Sequence, residues 1–116
     1  MKLEKYNTKF TTKKIYEMAN ISKQKTGLPV MIWISYNTGK EKHGARIKIK
    51  IDNTLIPISI SDTPEVKAST ANIKSGILKQ ITSWIVLNKK VLLKYWNAKG
   101  SLGIDYVLDN IVKVDK

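Results

Sequence analysis

Histidine and carboxylate side chains are the first candidates for chemistry, and the sequence holds a single histidine. His43 lies in a polar loop that contains two glycines, with Glu41 two residues before it and with Lys40 and Lys42 beside it. A histidine paired with a carboxylate can act as a general base or as part of a metal site. Both roles need a further ligand or catalytic side chain, and the sequence places none next to His43 and Glu41. We therefore interpret His43 as a loop residue that bonds to backbone, and Lys40, Lys42 and His43 as candidate contact residues.

No other pattern typical of catalysis occurs in the sequence. Paired carboxylates, a Gly-x-Ser-x-Gly elbow, a His-Glu-x-x-His motif and a phosphate-binding loop are all missing. The chain has no cysteine, so thiolate nucleophiles, Cys-ligated zinc and disulfide frameworks are excluded. We predict that the protein is not an enzyme and that it uses no cofactor or metal.

The charge of the chain is strongly positive, at +12 for 116 residues. Such a charge favours nucleic acid or another anionic partner. However, Arg46 is the only arginine among the 21 basic residues, and lysine, isoleucine and asparagine, which have A/T-rich codons, are all abundant. Base-specific reading of duplex DNA relies on arginine forks. Two interpretations of the lysines therefore stay open. They bind nucleic acid non-specifically through charge, or they reflect the composition of an A+T-rich genome.

Three strands are predicted to position the basic residues. Residues 45–51 alternate, so Ile47, Ile49 and Ile51 point one way and Arg46, Lys48 and Lys50 the other. The apolar run 30–36 predicts a preceding strand, and residues 55–61 predict a following one. Pro57 in the last strand lacks a backbone donor, which indicates an edge or a bulge.

The sheet face that carries the lysines is a candidate contact face, formed by Met31, Trp33, Arg46, Lys48 and Lys50. Basic residues next to an aromatic ring can bind a single nucleic-acid strand through phosphate contacts and base stacking. The same residues are also compatible with a solvated strand whose lysine stems cover Trp33. A third interpretation is a protein interface, in which methionine and aromatic residues are enriched.

Helices are predicted on both sides of the three strands. Residues 11–24 show a short amphipathic spacing, Gly27 fits a left-handed cap, and Pro29 ends the helix. Residues 73–85 form the principal core helix, and Asn88 is a candidate N-cap for a second helix. Residues 104–112 fit either a last helix or a strand. We take Trp84 and Trp96 as core anchors.

These elements predict one α+β domain over residues 1–116. It comprises an N-terminal helix, a three-stranded antiparallel meander, and two or three C-terminal helices packed on one face of the sheet. A chain of this length is too short for two independent cores.

Residues 28–97 resemble a family of small bacterial and phage-borne proteins of unknown function. In that family a Pro-initiated strand precedes a His-containing loop, two strands, and a helix with a Trp, Leu-Leu, Trp pattern. The matching residues here are Pro29, His43, Trp84, Leu92, Leu93 and Trp96. The family's loop carries two histidines around a proline, whereas this loop reads His43-Gly44-Ala45-Arg46. The resemblance therefore implies an accessory role and no catalytic residue.

The N-terminus is polar, and no apolar stretch approaches the ~20 residues that span a bilayer. We expect a soluble protein without a signal peptide, made in a cytoplasm and with no membrane partner. The function we expect is that of a small accessory or structural protein that acts through protein–protein contacts. Its concrete form would be a minor virion or capsid-associated component. The alternative is non-specific binding of DNA or RNA through Trp33, Arg46, Lys48 and Lys50.

Overall fold

The computed structural model describes residues 18–39, 43–68 and 72–114, and every structural statement below refers to these ranges. Four antiparallel strands form one sheet in chain order: β1 (Met18–Ile21), β2 (Ile32–Ser35), β3 (Arg46–Ile51) and β4 (Thr54–Ser59). The helices are α1 (Lys23–Thr26), α2 (Ser75–Leu87), α3 (Lys89–Asn97) and α4 (Ile104–Asn110). The α+β class is thus confirmed.

The N-terminal part of the described chain differs from the expected helix over residues 11–24. Met18–Ile21 is a strand, which pairs with β2 so that Met18 lies opposite Ser35 and Ile21 opposite Ile32. Because Ile21 is fully buried in this arrangement, pairing and burial outweigh the weak helical spacing. The sheet therefore has four strands rather than three. Residues 11–17 of the expected helix lie outside the described ranges.

The helical conformation that does form near this position is the single turn α1. The Ser22 hydroxyl accepts a hydrogen bond from the Lys25 backbone N–H, which caps the start of the turn. Gly27 closes it in the left-handed region at a φ of 79° and donates its N–H to the Lys23 carbonyl. The expected left-handed cap at Gly27 is thus confirmed.

The alternation of isoleucines predicted one buried face of the sheet, and the register confirms it. Across the sheet, two rows of facing residues point into the core: Ile21, Ile32, Ile49 and Ile56 form one row, and Ala19, Ile34, Ile47 and Ile58 form the next. All seven isoleucines of these rows are buried. Asp52 and Asn53 form the β3–β4 turn with φ values of 50° and 65°, the conformation of a tight hairpin.

β4 lies at one end of the strand order, and the segment 65–67 covers part of its free side. The Ser59 N–H donates to the Glu65 carbonyl at 2.9 Å, and the Lys67 N–H donates to the Pro57 carbonyl at 2.8 Å. In an antiparallel ladder the N–H and C=O of one residue point to the same side. Because the Pro57 carbonyl bonds to Lys67, the N–H that proline lacks would also point away from β3. No hydrogen bond between β3 and β4 is therefore lost.

The helices complete the core on the isoleucine side of the sheet. Their buried apolar residues are Ile81, Trp84 and Ile85 of α2, Leu92, Tyr95 and Trp96 of α3, and Val107 of α4. The expectation that Trp84 and Trp96 are core residues is confirmed. The last apolar segment, for which helix and strand were both open, is the helix α4.

Asn88 joins α2 to α3, but its side chain does not cap α3 as expected. Its amide nitrogen donates to the carbonyls of Trp84 and Val112, both at 3.0 Å, and its Oδ1 accepts the Val112 N–H at 2.7 Å. The Val114 N–H donates to the Thr26 carbonyl at 2.9 Å. The C-terminal segment 111–114 is therefore bonded both to the helix junction and to α1.

Candidate contact surfaces

The outer face of the sheet, opposite the isoleucines, brings together the residues that the sequence singled out. Trp33 lies opposite Lys48 on β3, and Lys48 lies opposite Pro57 on β4. Asn20 of β1 lies on the other side of Trp33. The indole is thus at the centre of the outer face and has a lysine as its direct neighbour across the strands.

The remaining candidates flank this central row. Arg46 lies opposite Ser59, and Lys50 lies opposite the exposed Leu55. Met31 immediately precedes β2, and Ile32 lies opposite Ile49. Continuing this register by one residue places Met31 level with Lys50. Lys48 and Lys50 thus have apolar neighbours across the strands, whereas Arg46 faces a serine.

Burial limits how much of Trp33 a ligand can reach. Trp33, Arg46 and Lys48 are half-buried, whereas Lys50 is exposed. The Lys48 Nζ lies 4.0 Å from the Met18 Sδ, so its stem crosses the face towards β1. The Trp33 Nε1 is enclosed and has no hydrogen-bond acceptor among the described residues. Trp33 is therefore more a component of a packed surface than a free stacking platform.

His43 is exposed, and the contacts that fix it involve backbone and one aromatic ring. Its Nδ1 lies 2.8 Å from the Gly44 carbonyl oxygen, at hydrogen-bonding distance. Its ring lies 5.9 Å from the Trp96 ring, at an angle of 35°. These contacts agree with a loop histidine bonded to backbone. Lys40 and Lys42 lie outside the described residues.

Chemistry at a metal centre would need a cluster of ligating side chains. Among the residues that the structure describes, no group of three or more histidine, cysteine, aspartate or glutamate side chains could hold a metal ion. His43 accordingly has no such set around it within the described ranges.

A second surface, at the C-terminal end of α2, was not expected from the sequence. Val86 and Leu87 are 46% and 53% exposed. Together with Asp62, Pro64, Thr82 and Ser83 they line a shallow depression of about 470 Å³. We call Val86, Leu87 and the depression beside them the α2 patch.

Another exposed apolar residue, Val112, is bonded to the residue that follows the patch along the chain. Val112 is 54% exposed, and its backbone is bonded to Asn88, the residue after Leu87. Three of the four large apolar side chains that are exposed within the described ranges thus lie at or next to one helix junction, and the fourth is Leu55 of the outer face. This concentration distinguishes the patch from singly scattered apolar residues, which are ordinary on protein surfaces.

The signal that could have located the α2 patch is the apolar run 84–87. Trp84 and Ile85 take up the inner side of α2 and are fully buried. Two further apolar residues in succession cannot lie on the same narrow side, because each step turns the helix by about 100°. A run of four apolar residues is wider than the buried stripe of a helix, so some of its side chains are predicted to be exposed.

Aromatic packing fixes the end of α3 to the loop after β2. The Tyr36 and Tyr95 rings pack edge to face, with centroids 6.4 Å apart. Burial, with a smaller contribution from Tyr36, raises the pKa of the Tyr95 hydroxyl above its ordinary value of 10.0. The Asn37 N–H donates to the Trp96 carbonyl at 3.0 Å. The loop that leaves β2 is thus attached to the helical layer.

The chain matches no family model, no curated protein and no solved structure. In the described part of the chain, no helix has both the length and the apolar character needed to cross a membrane.

Proposed function

We propose that the protein is a non-enzymatic accessory protein that acts by binding another protein, and that the α2 patch is its docking site. The observation that supports this proposal is the exposure of Val86 and Leu87 beside the depression. Contiguous apolar surface on a folded protein is typical of interaction sites. The fully buried core of an interface is more apolar and has fewer charged residues than the rest of a protein surface.

The patch is built on a rigid support, which favours binding. The opposite side of α2 is anchored by Ile81, Trp84 and Ile85 in the core. Fully burying an exposed valine or leucine side chain contributes roughly 1.5–3 kcal/mol, and because Val86 and Leu87 are 46% and 53% exposed, about half of this gain is left for binding. Because the helix is already ordered, little of this gain is lost to ordering the binding surface.

Affinity capture from the native host cell tests the proposal. Wild-type protein is compared with the double variant Val86→Ser, Leu87→Ser and with Leu55→Ser, which removes an exposed leucine from the outer face. Exposed substitutions of this kind change the free energy of unfolding by about 0.5 kcal/mol or less. We expect a partner that wild type and Leu55→Ser capture equally and that the double variant loses. Equal capture by all three proteins would contradict the proposal.

Non-specific nucleic-acid binding through the outer face is the second candidate function. The observation that favours it is Trp33 opposite Lys48, with two further basic residues, Arg46 and Lys50, on the same face. It ranks second because the Trp33 indole is half-buried. The test is binding of labelled single- and double-stranded DNA and RNA in a salt series. The variant Arg46→Ala, Lys48→Ala, Lys50→Ala should abolish steeply salt-dependent binding.

The matched control for that experiment removes the same charge elsewhere, with Lys23→Ala, Lys25→Ala and Lys113→Ala. These three lysines are exposed on α1 and the C-terminal segment. An equal loss of binding in both triple variants would show that net charge, and not the outer face, contacts the nucleic acid. The expectation of a virion or capsid-associated role stays a prediction, and identification of the captured partner tests it.

A further inference from the structure

We infer that the segment bound by the α2 patch is an acidic amphipathic helix of the partner protein, an inference that rests on the proposed function of the patch. It follows from the charges around the apolar residues and from the kind of backbone that the patch can accommodate.

Exposed lysines lie before and after the apolar residues of the patch along the chain. Lys79 is exposed and lies one helical turn before Ser83, which lines the depression. Lys90 is exposed and lies three residues after Leu87. The last bond of α2 runs from the Asn88 N–H to the Trp84 carbonyl, and the first bond of α3 runs from the Leu92 N–H to the Asn88 carbonyl, both at 3.0 Å. Lys90 therefore lies in the first turn of α3, directly after the junction that ends the patch.

The acidic groups nearby do not balance these lysines. Asp62, which lines the depression, is already paired with Lys89 at 2.7 Å. Asp109 of α4 lies three residues before Val112, but the exposed Lys113 follows Val112 directly. Lys79, Lys90 and Lys113 have no ion pair with any residue in the described ranges. The surroundings of the patch thus carry excess positive charge.

Charge also distinguishes between classes of occupant. Two copies of a chain with a net charge of +12 repel each other, so a symmetric dimer through a lysine-rimmed patch is opposed. An acidic partner is attracted at long range and can place carboxylates against the lysines around the patch. The complementary ligand is therefore apolar at its centre and acidic at its margins.

The backbone of the partner is inferred from what the patch lacks. The patch is lined by side chains of α2 and of the segment 62–64, and among the described residues none of β1–β4 is part of this lining. An extended peptide bound there would leave its backbone N–H and C=O groups without the ladder that strand addition supplies. A helix satisfies its own backbone bonds and can present apolar residues at spacings of three and four to Val86 and Leu87.

Synthetic peptides test this inference directly. The probe is an amphipathic helical peptide with leucines on one side and glutamates on the other. The matched controls are the same peptide with lysine in place of every glutamate, and a scrambled acidic peptide without an apolar side. Binding to the full chain is measured by fluorescence anisotropy at two salt concentrations, and the site is mapped from backbone amide shifts by NMR.

We expect the acidic amphipathic peptide to bind at least ~10-fold more tightly than either control, the equivalent of about 1.4 kcal/mol. Its amide shifts should centre on Val86, Leu87 and Val112. The double variant Val86→Ser, Leu87→Ser should lose this binding, whereas Leu55→Ser should retain it. Replacement of Lys79 and Lys90 by glutamine should weaken binding and flatten its salt dependence, while the same change at Lys23 and Lys25 should not.

Three results would overturn the inference. Equal binding of the lysine peptide at the patch would leave the docking site in place but remove the acidic partner. Self-association of the wild-type protein that the double variant loses would assign the patch to a second copy. Failure of every peptide to bind would reject the helical ligand, and the capture experiment then decides whether the proposed function fails with it.

Discussion

The side-chain amide of Asn88 binds the backbone of Val112 on both sides, donating to its carbonyl at 3.0 Å and accepting its N–H at 2.7 Å. The same amide nitrogen donates to the Trp84 carbonyl. One buried side chain thus joins the end of α2 to the C-terminal segment, and this junction lies beside the α2 patch.

Replacement of Asn88 by alanine should destabilise the protein by about 2–4 kcal/mol, because three hydrogen bonds are lost and buried polar groups are left without partners. Urea unfolding measures the change, and Asn97→Ala, at an exposed position of α3, is the control. Hydrogen exchange adds a local test, since the Val112 amide should lose its protection in Asn88→Ala. An unchanged exchange rate at Val112 would mean that this hydrogen bond does not form in solution.

Gly100 and Gly39 form a matched pair for a test of the Tyr36 contact. Both have positive φ values, of 91° and 86°. A Cβ on Gly100 would lie 3.1 Å from the Tyr36 Cε1, whereas a Cβ on Gly39 would meet no atom of the described residues within 4 Å. Gly39→Ala should therefore cost only the backbone strain of about 1 kcal/mol, and Gly100→Ala about 1 kcal/mol more.

The free energy of unfolding of both alanine variants is measured in urea, and the Tyr36 ring resonances report on the contact itself. Equal costs for the two substitutions, with unshifted Tyr36 resonances, would show that the ring does not pack on Gly100.

Trp84 should tolerate phenylalanine far better than alanine. It is fully buried, and in the part of the chain that the structure describes its Nε1 has no hydrogen-bond acceptor. Trp84→Phe removes this unpaired donor, which offsets roughly 1–3 kcal/mol of the packing that is lost. Trp84→Ala should cost about 3–5 kcal/mol. Equal destabilisation by both changes, measured by urea unfolding, would indicate that the indole N–H has a partner in solution.

Stability should fall above pH 10 because of Tyr95. Burial raises its pKa in the folded protein above 10.0, so the unfolded chain loses this proton first as the pH rises. The contribution of the protonated Tyr95 hydroxyl to stability is fully present below pH 10 and is lost as the pH rises through the folded pKa. Over this range the free energy of unfolding falls by at most ~1.4 kcal/mol per pH unit. Tyr95→Phe should flatten this decline relative to wild type, while a comparison at pH 8 to 9 supplies the baseline. Parallel curves up to pH 11 would contradict the prediction.

The sheet could be predicted where the sequence carries strict alternation. Residues 45–51 alternate isoleucine with basic residues, and β3 occupies Arg46–Ile51 with Ile47 and Ile49 buried. Alternating burial along a strand is a local property, so it can be predicted without knowing which strands lie beside it. The placement of Trp33 and Lys48 on the same face followed from this pattern and needed only the pairing of two consecutive strands.

Two features could not be predicted because they depend on distant residues. β1 has four residues, too few for a clear period, and its conformation is decided by pairing with β2. Asn88 fits an N-cap by local sequence, but the position of Val112 beside it gives its side chain other partners. The α2 patch was missed because no position was predicted for Val86 and Leu87, although the apolar run 84–87 is wider than the buried stripe of one helix.

The segment 65–67, which pairs with β4, has a consequence for aggregation. Uncovered strand edges act as templates onto which other chains can add, and this leads to fibrils or to precipitation. The Glu65 carbonyl accepts the outward-facing N–H of Ser59, and the Lys67 N–H donates to the outward-facing carbonyl of Pro57. Pro57 has no N–H of its own to offer to another chain. A shortened loop that removes residues 65–67 would expose the outward-facing backbone groups of Pro57 and Ser59, so we expect such a variant to self-associate during expression.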